Sequence, residues 1–235
     1  MPAADREAIA PLVRRLKRLA RLVGQARDRD IVLELLERTR PSGATPADTR
    51  RFHEFWGRLR DDSRTGRELL RAFLTTERDA GLFRSIGESL DRPPRSRAAS
   101  DLTRLMAQEN ALRHEKVRRA HRRATERPSS DRLHRLRIRL RQFRHASELT
   151  RVVDPAVADP VPVSYRRLQT RLGKLHDLDV ALATLDPPLA RSAWAADLRQ
   201  ARRRTRTAAR VELARLAAAA RRPRTARPRR GGGAS

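Results

Sequence analysis

Cysteine is absent from this 235-residue chain, which excludes disulfide bonds and thiolate chemistry and fits a reducing compartment. Aromatic residues make up 3% of the chain, so few side chains could stack against nucleic-acid bases. No apolar run approaches the roughly 18 residues that a membrane-spanning helix needs, and no secretory signal pattern opens the chain. These absences predict a cytoplasmic protein without a transmembrane segment.

Lysine is also scarce. Of the 55 basic residues, three are lysines, namely Lys17, Lys116 and Lys174, and the others are arginines. With 28 acidic residues the formal net charge is +27. Such a surplus repels itself in a compact state, so a polyanion is expected to offset it. Guanidinium groups hold phosphate oxygens in pairs and keep their charge, which favours a phosphate-bearing partner. Charge does not say which polyanion this is.

Leucine and alanine supply most of the apolar residues, and their recurrence at threes and fours predicts an all-α fold. Glycine is a common helix C-cap, so helices are expected to stop near Gly24 and Gly173. The predicted helices are, in chain order, 9–24, 27–38, two or three pieces between 46 and 90, 98–126, 131–151, 164–172, 178–185 and 188–221.

An internal repeat relates two parts of the chain at a shift of 149 positions, the separation of Asp28 and Asp177. The identities are Arg18/Arg167, Leu19/Leu168, Gly24/Gly173, Asp28/Asp177, Asp30/Asp179, Leu33/Leu182 and Leu36/Leu185. Chance would supply about two or three, so a duplication is indicated. We therefore predict a first helical bundle over 1–92 with an incomplete N-terminus. A second bundle over 97–221 follows a proline-rich linker at 91–96, with the helix 97–127 bridging both, and 222–235 forms a disordered basic tail.

The helix predicted at 131–151 places its residues in three groups around the axis. An apolar stripe contains Leu133, Leu136, Leu140 and Phe143. Directly beside it lies a row of His134, Arg137, Arg141 and Arg144, one turn of about 5.4 Å or slightly less apart. Arg135 and Arg139 lie on the far side, toward solvent. Such a row is either solvated or covered by an anion.

Two runs in the second half of the chain carry a resemblance to a known family. The first is Leu133-His134-Arg135-Leu136-Arg137-Ile138-Arg139-Leu140-Arg141-Gln142-Phe143-Arg144, and the second is Leu168-Gln169-Thr170-Arg171-Leu172-Gly173-Lys174-Leu175-His176-Asp177-Leu178-Asp179. Together they resemble the hallmarks of the CHAD family, the conserved-histidine α-helical domains, over roughly residues 5–220. The resemblance implies two pseudo-symmetric, antiparallel helical bundles around a basic channel that binds long-chain inorganic polyphosphate without catalysis.

Carried over residue by residue, the resemblance implies a set of phosphate contacts. The set is His134, Arg137, Arg141, Arg144, Arg166, Lys17 and Arg21. Arg113, Lys116, Arg202 and Arg206 are further candidates among which the sequence does not choose. The resemblance implies that the chain begins at the family's second helix, so we expect the first signature helix to be missing, either through a misplaced start codon or as a real loss. Gln142 replaces a usual basic residue, and Arg27 stands where the second copy has His176.

Other readings of the same residues remain. His134 and His176 with Asp177 and Asp179 could ligate a metal, but neighbouring arginines would repel a divalent cation, and Asp177 fits a helix-start carboxylate. No nucleophile motif is found, so we predict no metal, no cofactor and no enzyme activity. A DNA- or RNA-binding helical protein is the alternative, and docking to anionic membrane or polyphosphate-granule surfaces is a third reading. Polyphosphate chain-length preference and oligomeric state stay open.

Overall fold

The computed structural model describes residues 3–39, 41, 43–91, 99–153 and 161–221. Within these ranges the chain forms seven α-helices and one 3₁₀ turn, and no strand. The helices are α1 (Ala3–Arg38), α2 (Pro46–Asp79), α3 (Leu82–Asp91), α4 (Ala99–Glu126), α5 (Ser130–Val153), α6 (Val163–Thr184) and α7 (Ala193–Arg221), and the 3₁₀ turn is Leu189–Arg191. The predicted all-α helical-bundle fold is confirmed.

Both glycine helix ends were predicted wrongly. Gly24 lies inside α1 and Gly173 lies inside α6. A glycine in a helix interior costs only about 1 kcal/mol relative to alanine, and packing of the flanking turns exceeds that cost. One consequence concerns Asp177, which lies in the middle of α6 and therefore does not mark a helix start.

The other helix boundaries follow local sequence signals. The segment after Thr45 begins with a capping box, in which the Thr45 hydroxyl accepts from the backbone N–H of Asp48 and the Asp48 carboxylate accepts from the backbone N–H of Thr45. A turn at Gly81, with φ of 70°, separates α2 from α3. The Ser129 hydroxyl accepts from the backbone N–H of Arg132 at 3.3 Å and caps α5. The linker predicted at 91–96 is wrong at Asp91, which ends α3. The rest of that linker, Pro155 and Pro160, and the tail at 222–235 lie outside the described residues.

Contacts divide the chain into two units. Unit 1 comprises residues 1–98 and 174–204, and unit 2 comprises 99–173 and 205–235. This division differs from the predicted bundles at residues 174–204, because the second half of α6 and the first half of α7 pack with α1 and α2. The helix predicted to bridge both bundles, α4, groups with unit 2 throughout.

The core of unit 1 combines residues from both copies of the repeat. Phe52 stacks on Trp194 with ring centroids 4.6 Å apart. The core members are Val32, Leu36, Phe52, Phe55, Leu59, Leu178, Ala181, Leu185, Leu189, Trp194, Ala195 and Leu198. Leu36 and Leu185 are repeat equivalents, so each copy contributes the same position to one shared core.

The second aspartate of the repeat has the same structural role in both copies. Asp30 accepts hydrogen bonds from Ser63 Oγ at 2.7 Å and Arg67 Nη1 at 2.8 Å, both on α2. Its equivalent, Asp179, accepts from Nε of Arg202 on α7. In each copy this carboxylate therefore bonds its own helix to the next α-helix along the chain, which gives the duplicated Asp a structural role.

In unit 2, α4 contacts α7 through a partly buried histidine. His121 Nε2 lies 3.2 Å from the backbone oxygen of Leu213. Burial lowers the pKa of His121 from 6.5, and the hydrogen bond to Leu213 partly opposes that shift. The neutral imidazole is therefore the form that the fold favours, with its Nε2–H donating to the carbonyl.

This burial predicts a pH dependence of stability. The unfolded chain protonates the His121 position near pH 6.5, whereas the folded chain does so at lower pH, so the free energy of unfolding should fall as pH is lowered from 6.5 through the folded pKa. His121→Gln keeps a donor for Leu213 but does not titrate. Denaturant unfolding at about pH 7.5 and about pH 5.5 should show a smaller loss for this variant than for wild type. His53→Gln, at an exposed histidine, is the control and should lose as much as wild type. Equal losses for His121→Gln and wild type would contradict the prediction.

Candidate functional site

The cation row predicted on α5 borders a fully buried ridge. Leu133, Leu136, Leu140 and Phe143 are each at most 2% exposed, which confirms the apolar stripe. In the adjacent row, His134 and Arg141 are exposed, and Arg137 and Arg144 are half-buried. Because the ridge fixes the rotation of α5 in unit 2, the row is held at one edge of the buried face.

The members of the row differ in their bonding. Arg144 Nε lies 3.3 Å from Glu148 Oε1, and the other oxygen of that carboxylate lies 3.3 Å from Nδ1 of His145. The guanidinium of Arg141, by contrast, makes no hydrogen bond or ion pair with the part of the chain that the structure describes. One end of the row is therefore partly neutralised, while the exposed guanidinium of Arg141 is available to an anion.

Arg166 lies in unit 2 as well, at the start of α6, and an aromatic cluster holds this segment in place. Tyr165 Oη lies 3.4 Å from His114 Nε2, and the His114 ring stacks on Phe143 with centroids 4.8 Å apart. Burial raises the pKa of Tyr165, partly opposed by the nearby charge of Arg118, so its hydroxyl stays protonated. The cluster thus anchors α6 to α4 and α5. The neighbouring Arg166 is exposed, and its guanidinium makes no hydrogen bond or ion pair among the described residues.

Lys17 and Arg21 lie one turn apart on α1 in unit 1, and both are exposed. Their neighbours on α1 are engaged with α2. Arg15 pairs with Glu77 at 2.5 Å, and the guanidinium of Arg18 lies 5.1 Å from the centre of the Phe73 ring. The structure therefore brings His134, Arg137, Arg141, Arg144 and Arg166 into one unit and places Lys17 and Arg21 in the other.

The four undecided basic residues have separate surroundings. Arg202 bonds to Asp179, and Arg113 pairs with Glu109 at 2.6 Å. Arg206 Nη2 donates to the backbone oxygen of Pro128 at 3.4 Å. The carboxylates of Asp179 and Glu109 offset the charges of Arg202 and Arg113, which argues against these two as principal anion contacts. Lys116 lies in a different place, a groove that was not predicted from the sequence.

That groove lies between α4 and α5 and has a volume of about 470 Å³. Its cationic lining is Lys116, Arg119, Arg123, Arg132, Arg135 and Arg139. The sequence carries a signal for it, because residues 116, 119 and 123 and residues 132, 135 and 139 repeat the same helical spacing. The signal has meaning only once α4 and α5 are known to pack side by side, which helical spacing alone does not establish.

Two further observations concern metal-binding groups and membrane-spanning helices. Among the described residues, no three His, Cys, Asp or Glu side chains come together as a metal-binding group. Within the same part of the chain, every helix is too short or too polar to cross a membrane.

The sequence was compared with protein-family models, curated proteins and solved structures. The family model described as the CHAD domain matches residues 1–186, well over half of the chain. No curated protein matches the chain, and no solved structure does. The match covers both runs that carried the resemblance in the sequence, including the row on α5 and the Leu-Gly-x-x-His-Asp run on α6. The chain belongs to the CHAD domain family.

Proposed function

We propose that this protein binds inorganic polyphosphate along the basic row of α5, without catalysis. The observation that carries the proposal is the position of His134, Arg137, Arg141 and Arg144 beside a buried ridge, in a chain of the CHAD family. A net charge of +27 supports a polyanionic partner. The proposal places the protein in the cytoplasm, in contact with polyphosphate granules.

The chemistry of the row suits a chain of phosphates. A guanidinium presents parallel N–H donors that match two phosphate oxygens, and it stays charged at any physiological pH. The guanidiniums of Arg141 and Arg166 make no hydrogen bond or ion pair among the described residues, so they can engage a ligand without breaking an internal side-chain contact. The imidazole of His134 can donate one further hydrogen bond to a phosphate oxygen.

The buried ridge gives the row its rigidity. Leu136 and Phe143 are 0% and 1% exposed, so α5 cannot rotate without opening the core. Cations fixed on a packed helix lose less conformational freedom on binding than cations on a loop, which leaves more of the interaction energy for affinity. The affinity should also rise with polymer length, since a longer chain engages more contacts at once.

The proposed binding of polyphosphate involves no chemical step. The row offers positive charge and hydrogen-bond donors, which neutralise and orient a phosphate chain, and the sequence has no nucleophile motif beside it. Arg137 and Arg141 would also repel a divalent cation brought between them. The function is accordingly retention of the polymer.

Competition with nucleic acid tests this function against its alternative. Labelled long-chain polyphosphate is bound to the full chain, and double-stranded DNA is added in excess at equal phosphate concentration. Because a thin polymer without bases matches a single row of cations, we expect DNA to displace the label far less effectively than unlabelled polyphosphate. Equal displacement by the two polymers, phosphate for phosphate, would favour a general nucleic-acid-binding protein instead.

A further inference from the structure

The α4–α5 groove has a regular geometry that the proposed function does not use. On α4, Lys116, Arg119 and Arg123 follow each other at intervals of three and four residues. On α5, Arg132, Arg135 and Arg139 do the same. Each set therefore forms a ladder on one face of its helix, about 10 Å long at 1.5 Å per residue.

The two ladders face each other across the groove in opposite chain directions. Arg132 Nη1 donates to the backbone oxygen of Arg123 at 3.1 Å and to that of Arg127 at 3.2 Å, which fixes the end nearest the turn between α4 and α5. From there the ladders run outward, to Lys116 on α4 and to Arg139 on α5. A bound anion would therefore meet cations on both sides along the full length of the groove.

The groove is lined almost entirely by cations. Its one apolar lining residue is Ala120, whose methyl group leaves room between the ladders, and no carboxylate or aromatic ring lines it among the described residues. The nearest carboxylate on α4 is that of Glu115, which accepts from Arg119 Nε at 2.9 Å. Hydrogen bonding by Arg119 lowers the pKa of Glu115, with smaller contributions from the charges of Arg118, Arg119 and Arg122, so Glu115 offsets one of the six charges.

Three of the remaining groups, Arg132, Arg135 and Arg139, are oriented by neutral acceptors, which leave their charge uncompensated. Arg135 Nε donates to the backbone oxygen of Asp131 at 3.2 Å, and Arg139 Nη1 donates to Gln142 Oε1 at 3.0 Å. The side chains of Lys116 and Arg123 make no bond with the described part of the chain. Every cation in the groove thus keeps donors for an incoming anion, and several are already held in position.

We infer that the α4–α5 groove is a second anion site, which takes a short chain of phosphate groups. Its volume of about 470 Å³ falls within the range of about 300–1,000 Å³ typical of small-ligand pockets. The absence of an aromatic ring from its described lining removes the stacking surface that a nucleotide base would use, so a base-free oligophosphate fits best. On α5 these arginines lie on a different face from His134, Arg137 and Arg141, so the groove and the row are separate surfaces.

Calorimetric titration with inorganic tripolyphosphate tests the groove. The groove variant is Arg135→Gln/Arg139→Gln, which removes two charges and no hydrogen bond to another helix. The matched control is Arg118→Gln/Arg122→Gln, which removes two exposed arginines of α4 outside the groove. We expect the groove variant to bind tripolyphosphate at least about tenfold more weakly than wild type, and the control less than about threefold more weakly. Circular dichroism should show both to be folded.

If the groove variant and the control bind tripolyphosphate equally weakly, the inference is overturned. The loss would then come from the lower net charge of either variant and not from the groove. Arg137→Gln/Arg141→Gln separates this site from the α5 row. Tripolyphosphate binding should survive in that variant, whatever happens to long-chain polyphosphate, so the groove and the proposed function can fail independently. Loss of tripolyphosphate binding there, at the level of the groove variant, would also overturn the inference.

A final titration identifies the source of the phosphate chain. Tripolyphosphate is added to protein already saturated with long-chain polyphosphate. Retained binding supports the groove as a site for free short chains, and competition supports it as a site for a segment of the long polymer. Arg135→Gln/Arg139→Gln, examined in parallel, should abolish the signal in the first case and weaken long-chain binding in the second.

Discussion

Raising the salt concentration from about 50 to about 200 mM should weaken long-chain polyphosphate binding by about 10²–10³-fold. The proposed contacts are the α5 row and Arg166, all in unit 2, and each phosphate neutralised by a cation releases condensed counterions back to solution. Each such contact changes the slope of log affinity against log salt concentration by about −0.9 on duplex DNA and by about −0.7 on a single strand, so about five contacts produce a loss of that size. Polyphosphate carries about one charge per phosphate, as the DNA backbone does, so the same dependence is expected. Fluorescence anisotropy at four or more salt concentrations gives the slope directly.

The slope is more informative than any single affinity. A line of log affinity against log salt concentration with a slope of about −3 to −5 corresponds to this number of contacts. A slope near zero would mean that hydrogen bonding or apolar contact dominates, and it would contradict an electrostatic mechanism. Replacing chloride by acetate as the competing anion should leave the slope within about one unit, because the released ions are cations bound to the polymer.

Much of the fold could be predicted from the sequence because helix periodicity is local. The stripe of α5 was predicted from spacing, and the buried ridge of Leu136 and Phe143 confirms it. The ends at Gly24 and Gly173 were wrong because a C-cap glycine and a tolerated interior glycine look alike in sequence. What distinguishes them is the packing on either side, which is set by other helices.

The features of the site that could not be predicted from the sequence are formed by residues of two different helices. The repeated aspartates could be detected as a repeat, but their role came from Arg67 and Arg202, which lie on the next helix in each copy. The α4–α5 groove likewise needs two ladders brought together. A sequence pattern fixes which residues share one helix face, and it does not fix which face of a second helix lies opposite.

We propose that the guanidiniums of the α5 row hold the phosphate chain. Arg137→Gln/Arg141→Gln removes two of them and leaves shorter, uncharged polar side chains in their place. Each lost contact to a charged group is expected to reduce the binding free energy by about 1 kcal/mol or more at such a partly exposed site, so affinity should fall by about 10–100-fold. Each arginine that neutralises a phosphate also contributes about one unit to the salt slope.

The most direct test is the slope of log affinity for long-chain polyphosphate against log salt concentration. It is measured for three proteins that circular dichroism shows to be folded. Wild type, Arg137→Gln/Arg141→Gln and the charge-matched control Arg118→Gln/Arg122→Gln are titrated side by side. We predict that the row variant loses about two units of slope together with its affinity, while the control keeps the wild-type slope. A row variant that binds with wild-type affinity and slope would show that the phosphate chain is held somewhere else.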